Sequence, residues 1–436
     1  MTEPSHIGQV PDVLEYLAQA QREAVVPPLR LRVAPRAVGT VAIIGAGTMG
    51  SGIAIAALTA EFDLILLEQD EAALAKGVAR ITDHFRGRVA AGKLDATSAG
   101  KAIARLSFTT DWAELARADL VIEAVFEDLA VKQQVFRRID EHARAHAVLA
   151  TNTSYLDVDA IASATSRPQD VLGLHFFSPA HVMKLLEVVQ GKATSADVLA
   201  TGMAFGVAIG KSPVLTGNAF GFIGNRIYNA YRRQCEFMLE DGAWPEDVDS
   251  ALTDFGFAMG PFAVADLSGL DIAWRMRKAQ AATRDARERY VGILDELCEL
   301  GRLGRKSAAG YYAYPDGKRE QSTDPIVREV IARSSAARGI TRRHLTPAEI
   351  CDRALFAMVN EAALLMAEGV AARPGDIDVV MTQGYGFPRG RGGPVYWARQ
   401  LSADQISQGL AGLARHVGHG FVSGDIALLL KDRNDS

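Results

Sequence analysis

The sequence predicts an α/β domain over residues 38–217, followed by two all-α domains of repeated plan at 218–320 and 345–436, behind a linker-like segment at 1–37. Three observations carry this. Up to Leu215, short apolar runs alternate with helical patterns, the rhythm of βαβ units. Beyond Phe222 the strand pattern largely vanishes and helical periodicity takes over. The helical part also echoes itself. Glu240–Asp249, Thr253, Phe255-Gly256-Phe257 and Gly260-Pro261 are answered by Glu368–Asp378, Thr382, Tyr385-Gly386-Phe387 and Gly393-Pro394.

Composition sets the outer bounds. A chain of 436 residues has material for about three domains. Its net charge of −5 argues against a nucleic-acid partner held through phosphates. Three scattered cysteines, Cys235, Cys298 and Cys351, suit neither a disulfide frame nor a zinc site, so no metal is expected and a reducing, cytoplasmic compartment is. No long apolar run or basic-then-apolar leader stands in the chain, so neither a membrane span nor a secretory signal is expected. The end, LLLKDRNDS, is not a peroxisomal tripeptide.

Within 1–37, VLEYLAQAQREA predicts a short helix with Val13, Leu14, Leu17 and Ala20 on one face, ended by Pro27-Pro28 and packed on the surface as a tail. Val41–Ile44 is a strand, and Gly45-x-Gly47-x-x-Gly50 follows before a helix of small residues. That is the dinucleotide fingerprint in its proper place, so the α/β domain is read as a Rossmann-type NAD-binding domain. Gly45 allows the tight turn, Gly47 a close pyrophosphate, and Gly50 close helix–strand packing. Gly45, Gly47, Met49 and Gly50 are the candidate nucleotide contacts. The strand Leu64–Leu67 ends at Glu68, about 20 residues on, where an acid accepts from a ribose 2′-hydroxyl and repels a 2′-phosphate, favouring NAD over NADP.

A polar helix from Glu71 to about Gly92 carries Arg80, Arg86 and Arg88, a solvated face or a greeting for an anionic substrate tail. Leu120–Val125 is a strand with Glu123, Glu127 and Asp128 at its end, and Lys132 lies one turn into the next helix. Ligands of open parallel sheets gather at strand C-termini. Glu127 and Lys132 therefore either meet the cofactor or form an ordinary polar pair at a helix start. Ala147–Ala150 ends in Thr151-Asn152-Thr153-Ser154, which either cap the following helix or offer hydroxyls to a substrate oxygen. Asn225, at the start of the first long helix, either caps it or points its amide into a site.

The stretch Val171–Val189 reads as two apolar segments joined at Ser178-Pro179-Ala180-His181. If they fold back on each other, His175 and Glu187 become neighbours. An imidazole held by a carboxylate has a fixed tautomer and suits a general base; a purely structural pair is the alternative.

GAGTMGSGIA, EAVFED, TNTS, GLHFFSPAHVMKLLEVV and GFIGNRI, in that order, closely resemble the NAD-dependent L-3-hydroxyacyl-CoA dehydrogenases of fatty-acid β-oxidation. GFAMGPFAVADLSGLD and GYGFPRGRGGP extend the resemblance over about residues 38–400. The doubled helical part looks most like the dehydrogenase half of the peroxisomal and bacterial multifunctional enzymes, without their enoyl-CoA hydratase half. The resemblance implies that the chain interconverts (S)-3-hydroxyacyl-CoA and 3-ketoacyl-CoA with NAD. It makes His175 the base, Glu187 its partner, and Ser154 and Asn225 the groups that hold the substrate oxygens. It gives Glu68 to the adenosine ribose and makes Glu127, Lys132 and Lys306 cofactor contacts. Tyr155 departs from the smaller residue of many relatives, and no residues for the CoA phosphates are matched. A second helical copy in cis implies a monomer or weak dimer, with a hydratase or thiolase as partner. The competing readings are a dehydrogenase of another hydroxy acid and a non-catalytic NAD-binding assembly subunit docking through residues 1–37.

Overall fold

The computed structural model describes residues 12–26, 33–315 and 322–430. Pro27 and Pro28, expected to end the first helix, and residues 316–318 lie outside these. The chain forms two compact units: Leu14–Arg226 with Glu368–Tyr385, and Ile227–Ala367 with the chain from Gly386 onward.

The first unit is built on one sheet. In chain order its elements are α1 (Val13–Ala24), β1 (Thr40–Ile44), α2 (Thr48–Thr59), β2 (Asp63–Leu67), α3 (Glu71–Ala90), α4 (Ala96–Ala104), β3 (Leu106–Thr109) and β4 (Leu120–Glu123). Then come α5 (Leu129–His142), β5 (Val148–Thr151), α6 (Val158–Ala162), β6 (Val171–Phe176), β7 (Leu185–Gln190), α7 (Ala196–Ala208) and β8 (Ser212–Gly217). The strand order is β3-β2-β1-β4-β5-β6-β7-β8, and every pairing is parallel except β6 with β7. Helices cover both faces, so Val41 to Ile44 are all buried and split between two apolar cores. That is why these strands read as continuous apolar runs. The order reverses at β1, where β2 and β4 flank it, and the crevice at that point is where such sheets take nucleotides.

β3 and α4 went unanticipated. β3 is Leu-Ser-Phe-Thr on the sheet edge, and its Phe108 is 56% exposed, so it carries little apolar signal. α4 starts where the Asp95 carboxylate accepts from Ser98 N at 2.8 Å. On α1 the buried residues are Leu17, Ala20 and Ala24, while Leu14 is 58% exposed, so the apolar face is turned from the expected one.

The helical elements are α8 (Gly224–Asp241), α9 (Pro245–Phe255), α10 (Pro261–Ser268), α11 (Leu270–Gln280), α12 (Ile293–Glu299) and α13 (Pro325–Ala337). They continue with α14 (Pro347–Ala367), α15 (Pro374–Gly384), α16 (Pro394–Ala398), α17 (Ala403–Val417) and α18 (Ala427–Leu430). In the first repeat the Asp249 carboxylate accepts from Phe262 N and Ala263 N at the start of α10, both at 2.9 Å, and from Tyr312 OH at 2.8 Å. Burial pushes that carboxyl up to about 6.

The boundary between the two compact units runs through the second repeat. α14 packs on α9 within the helical unit, whereas α15 joins the sheet. Gly217 N donates to Val370 O at 2.8 Å, and Thr216 forms an antiparallel bridge with Ala371. A Cβ at Gly384 would stand 2.4 Å from Leu185 Cδ2, so glycine is what lets the end of α15 press on β7. Tyr16 OH of α1 donates to Asp378 of α15 at 2.7 Å.

Candidate active site

The antiparallel register of β6 and β7 sets His175 directly opposite Glu187. Nδ1 of His175 lies 2.7 Å from Oε2 of Glu187; the imidazole residue is 4% exposed and the carboxylate 0%. The other carboxylate oxygen accepts from Ile223 N at 3.1 Å and Gly224 N at 3.0 Å, where α8 begins. A carboxylate only accepts, so the tautomer this contact selects for a neutral imidazole has its proton on Nδ1 and its lone pair on Nε2. Phe177 and Phe222 flank the ring at centroid distances of 4.4 and 5.7 Å. The turn between the strands is braced from beneath. Lys211 Nζ donates to the carbonyls of Ala180 and Met183, and burial pulls its ammonium down to about 8.

Ser154 sits in the loop after β5, and Glu127 holds that loop. One oxygen of Glu127 accepts from Thr153 Oγ1 at 2.6 Å, Ser154 N at 2.8 Å and Tyr155 N at 3.2 Å. Asn152 Oδ1 accepts from Phe176 N at 2.9 Å, tying the end of β5 to the end of β6. Asn225 Nδ2 donates to the Ser154 carbonyl at 3.3 Å. Tyr155 packs on Phe220 with ring centroids 5.1 Å apart.

Lys132 lies against the two acids at the end of β4. Its side chain is fully buried, with Nζ 2.7 Å from Glu123 and 3.5 Å from Glu127. Two acids at the end of β4 leave negative charge inside, and a lysine one turn into α5 neutralises it; a buried charge without a partner is costly. The sequence places Glu123 at the strand's end but gives it no role. Fully buried, it also accepts from Thr151 Oγ1 at 2.8 Å and Val125 N at 2.7 Å. Its signal was an acid inside an apolar strand. Lys306 belongs to the helical unit, where it pairs with Asp271.

The glycine turn has the shape a dinucleotide needs. Gly45 has φ +101°, and a Cβ there would stand 2.8 Å from Ala124 O. A Cβ at Gly50 would stand 1.9 Å from Gly45 O. At Gly47 nothing lies within 4 Å, open space in front of the N-terminus of α2 where a pyrophosphate fits. Met49, second residue of that helix, is partly buried against the core, leaving its backbone N–H in the first turn. Glu68 accepts from Ala46 N at 3.0 Å and from Gln69 N at 2.8 Å, so it is fixed beside the turn with lone pairs to spare for a ribose. Arg80, read as part of a solvated face or a greeting for an anionic substrate tail, reaches Ala46 O at 3.1 Å and Ser51 Oγ at 3.0 Å and braces the turn from α3. Among the described residues no group of His, Cys, Asp and Glu could hold a metal ion.

The family model "3-hydroxyacyl-CoA dehydrogenase, NAD binding domain" matches residues 40–219. The model for that family's C-terminal domain matches twice, at 221–314 and 350–422. The chain belongs to the 3-hydroxyacyl-CoA dehydrogenase family. Its fold is a Rossmann-type NAD-binding domain followed by a helical domain present in two copies. The human peroxisomal bifunctional enzyme is 42% identical over 388 residues, 86% of this chain and 53% of that protein. The chain thus spans about half the length of the curated relatives it matches. The crystal structure of 3-hydroxybutyryl-CoA dehydrogenase from Escherichia coli superposes with a TM-score of 0.77 at 30% identity, covering 88% of this chain and 96% of that one. The (S)-3-hydroxybutyryl-CoA dehydrogenase of Ralstonia eutropha is matched over its whole length by 64% of this chain, with a TM-score of 0.61 and 32% identity.

Proposed function

We propose that this chain oxidises (S)-3-hydroxyacyl-CoA to 3-ketoacyl-CoA, and reverses the reaction, as a step of fatty-acid β-oxidation. The observation that carries the proposal is the buried His175–Glu187 pair, latched by the first backbone N–H groups of α8. Bound NAD+ supplies the two-electron acceptor for the hydrogen leaving C3. His175 Nε2 takes the hydroxyl proton, and Glu187 stabilises the imidazolium that results. In reduction the same imidazolium returns the proton to the C3 oxygen. Ser154 and Asn225 hold the substrate oxygens, so that C3 is oriented before it reacts. Gly45, Gly47, Met49, Gly50, Glu68, Glu127 and Lys132 are the proposed nucleotide contacts, and Glu127 also sets the loop that carries Ser154.

NADH consumption with acetoacetyl-CoA, compared with free acetoacetate, tests this reading. The thioester is expected to turn over at roughly 1–10³ s⁻¹. Acetoacetate reduced as fast as the thioester, or neither reduced, would overturn it. Cofactor choice has its own test. Glu68→Ser removes charge-assisted hydrogen bonds to the ribose and is expected to raise the KM for NADH about 10–100-fold while improving use of NADPH. An unchanged KM for NADH would take the ribose away from Glu68.

The three free cysteines support placing the protein in the cytoplasm; co-fractionation with peroxisomes would move it. No helix of the described residues is long and apolar enough to cross a membrane. The two C-terminal copies in one chain support a monomer or weak dimer, with a separate hydratase or thiolase as the proposed partner. Sedimentation with and without such an enzyme checks both.

A further inference from the structure

We propose that Tyr385, delivered by the second helical repeat, is a positioning residue for this reaction: it fixes the Asn225 side chain so that the amide N–H is what the substrate meets. The inference rests on the dehydrogenase reading above.

An asparagine side chain presents two ends of nearly the same shape, one donating and one accepting. Left alone, it offers either. Here both ends are spoken for. The Ser154 carbonyl, 3.3 Å from Nδ2, can only accept, which turns the N–H end toward it. Oδ1 then faces Tyr385, whose hydroxyl lies 2.9 Å away and donates. The second N–H of Nδ2 remains for a substrate oxygen. A flipped amide would set its oxygen against both the Ser154 carbonyl and a substrate carbonyl oxygen, three acceptors without a proton between them.

The ring of Tyr385 is held as firmly as its hydroxyl. It meets Phe177 edge-on at a centroid distance of 5.5 Å, and Phe177 lies 4.4 Å from the imidazole of His175. On another side it presses on the start of α8. A Cβ at Gly224, the residue before Asn225, would stand 2.1 Å from Cε2 of the tyrosine. Its backbone follows Gly384, which is packed on Leu185 of the strand that carries Glu187. Tyr385 thus touches the surroundings of the base and of the substrate-binding amide at once.

The repeat itself supplies a comparison. The position answering Tyr385 in the first copy is Phe255, which sits among the rings of Phe257 and Phe387, each at 6.0 Å. With the Arg391 guanidinium 4.9 Å from its centroid, that ring meets other rings and a cation and needs no hydroxyl. The second copy carries the same ring plus one oxygen, at the place where an asparagine carbonyl needs a donor.

The test is a double-mutant cycle followed in acetoacetyl-CoA reduction. Tyr385→Phe keeps the ring and removes only the donor. It is expected to lower kcat about 10-fold, the effect of losing one neutral hydrogen bond to the amide, with the KM for NADH and the unfolding midpoint unchanged. Asn225→Ala is expected to cost more, and adding Tyr385→Phe to it is expected to cost nothing further. Wild-type kcat in Tyr385→Phe, or multiplicative losses in the double variant, would overturn the proposal. Wild-type protein inactive on acetoacetyl-CoA would instead remove the dehydrogenase reading, and this proposal with it.

Discussion

His175→Gln is expected to lower kcat about 10²–10⁴-fold, the range that a positioned general acid–base supplies. Glutamine nearly fills the imidazole's place but cannot bind a proton near neutral pH. The hydroxyl proton then has to leave to water from a site where His175 is only 4% exposed. The nucleotide turn at Gly45–Gly50 lies on β1 and α2 and shares no hydrogen bond with His175, so NADH affinity should stay as it is. Acetoacetyl-CoA turnover and NADH fluorescence titration together read this out. Activity near that of the wild type would remove His175 from the mechanism.

Glu187→Gln should cost about as much, by a different route. The side chain keeps its length, but one oxygen becomes an NH₂. The two backbone donors at Ile223 and Gly224 demand the remaining oxygen, so the NH₂ faces His175. Nδ1 must then accept, and the imidazole proton moves to Nε2, the nitrogen that has to be empty to act as base. The analogous carboxylate-to-amide change in a Ser-His-Asp triad lowers kcat about 10⁴-fold with the geometry intact. The expected signature is therefore a folded protein with a near-normal unfolding midpoint and a collapse of kcat. Glu187→Ala separates the two roles. It strands two buried N–H groups and the imidazole, and is expected to cost about 3–5 kcal/mol of stability as well. If Glu187→Gln keeps full kcat, the carboxylate does not set the tautomer.

The site was legible where its chemistry is local in sequence. The strand, the three glycines and Glu68 occupy one βαβ unit, and the β6–β7 pairing follows from two apolar runs with a proline turn between them. Legibility failed where a side chain is defined by distant neighbours. Glu127 and Lys132 read as cofactor contacts or an ordinary polar pair at a helix start, and nothing in that spacing says that the lysine is buried against Glu123. The bond from Glu187 to α8 spans 36 residues at Ile223 and 37 at Gly224, and the Tyr385 hydroxyl meets Asn225 across 160. No periodicity encodes such contacts. The repeat was visible as an echo of motifs, yet nothing in the echo says that α15 leaves its sister helices for the sheet.

That exchange bears on how the chain tolerates shortening. β8 is the terminal strand of an eight-stranded sheet, and an uncovered strand edge is a template for pairing with other chains. The Thr216–Ala371 bridge and the Gly217–Val370 hydrogen bond lay the start of the second repeat along that edge. A protein ending after Ala367 would keep His175, Glu187, Ser154 and Asn225 but lose Tyr385 and its edge guard together, so solubility would fail along with turnover.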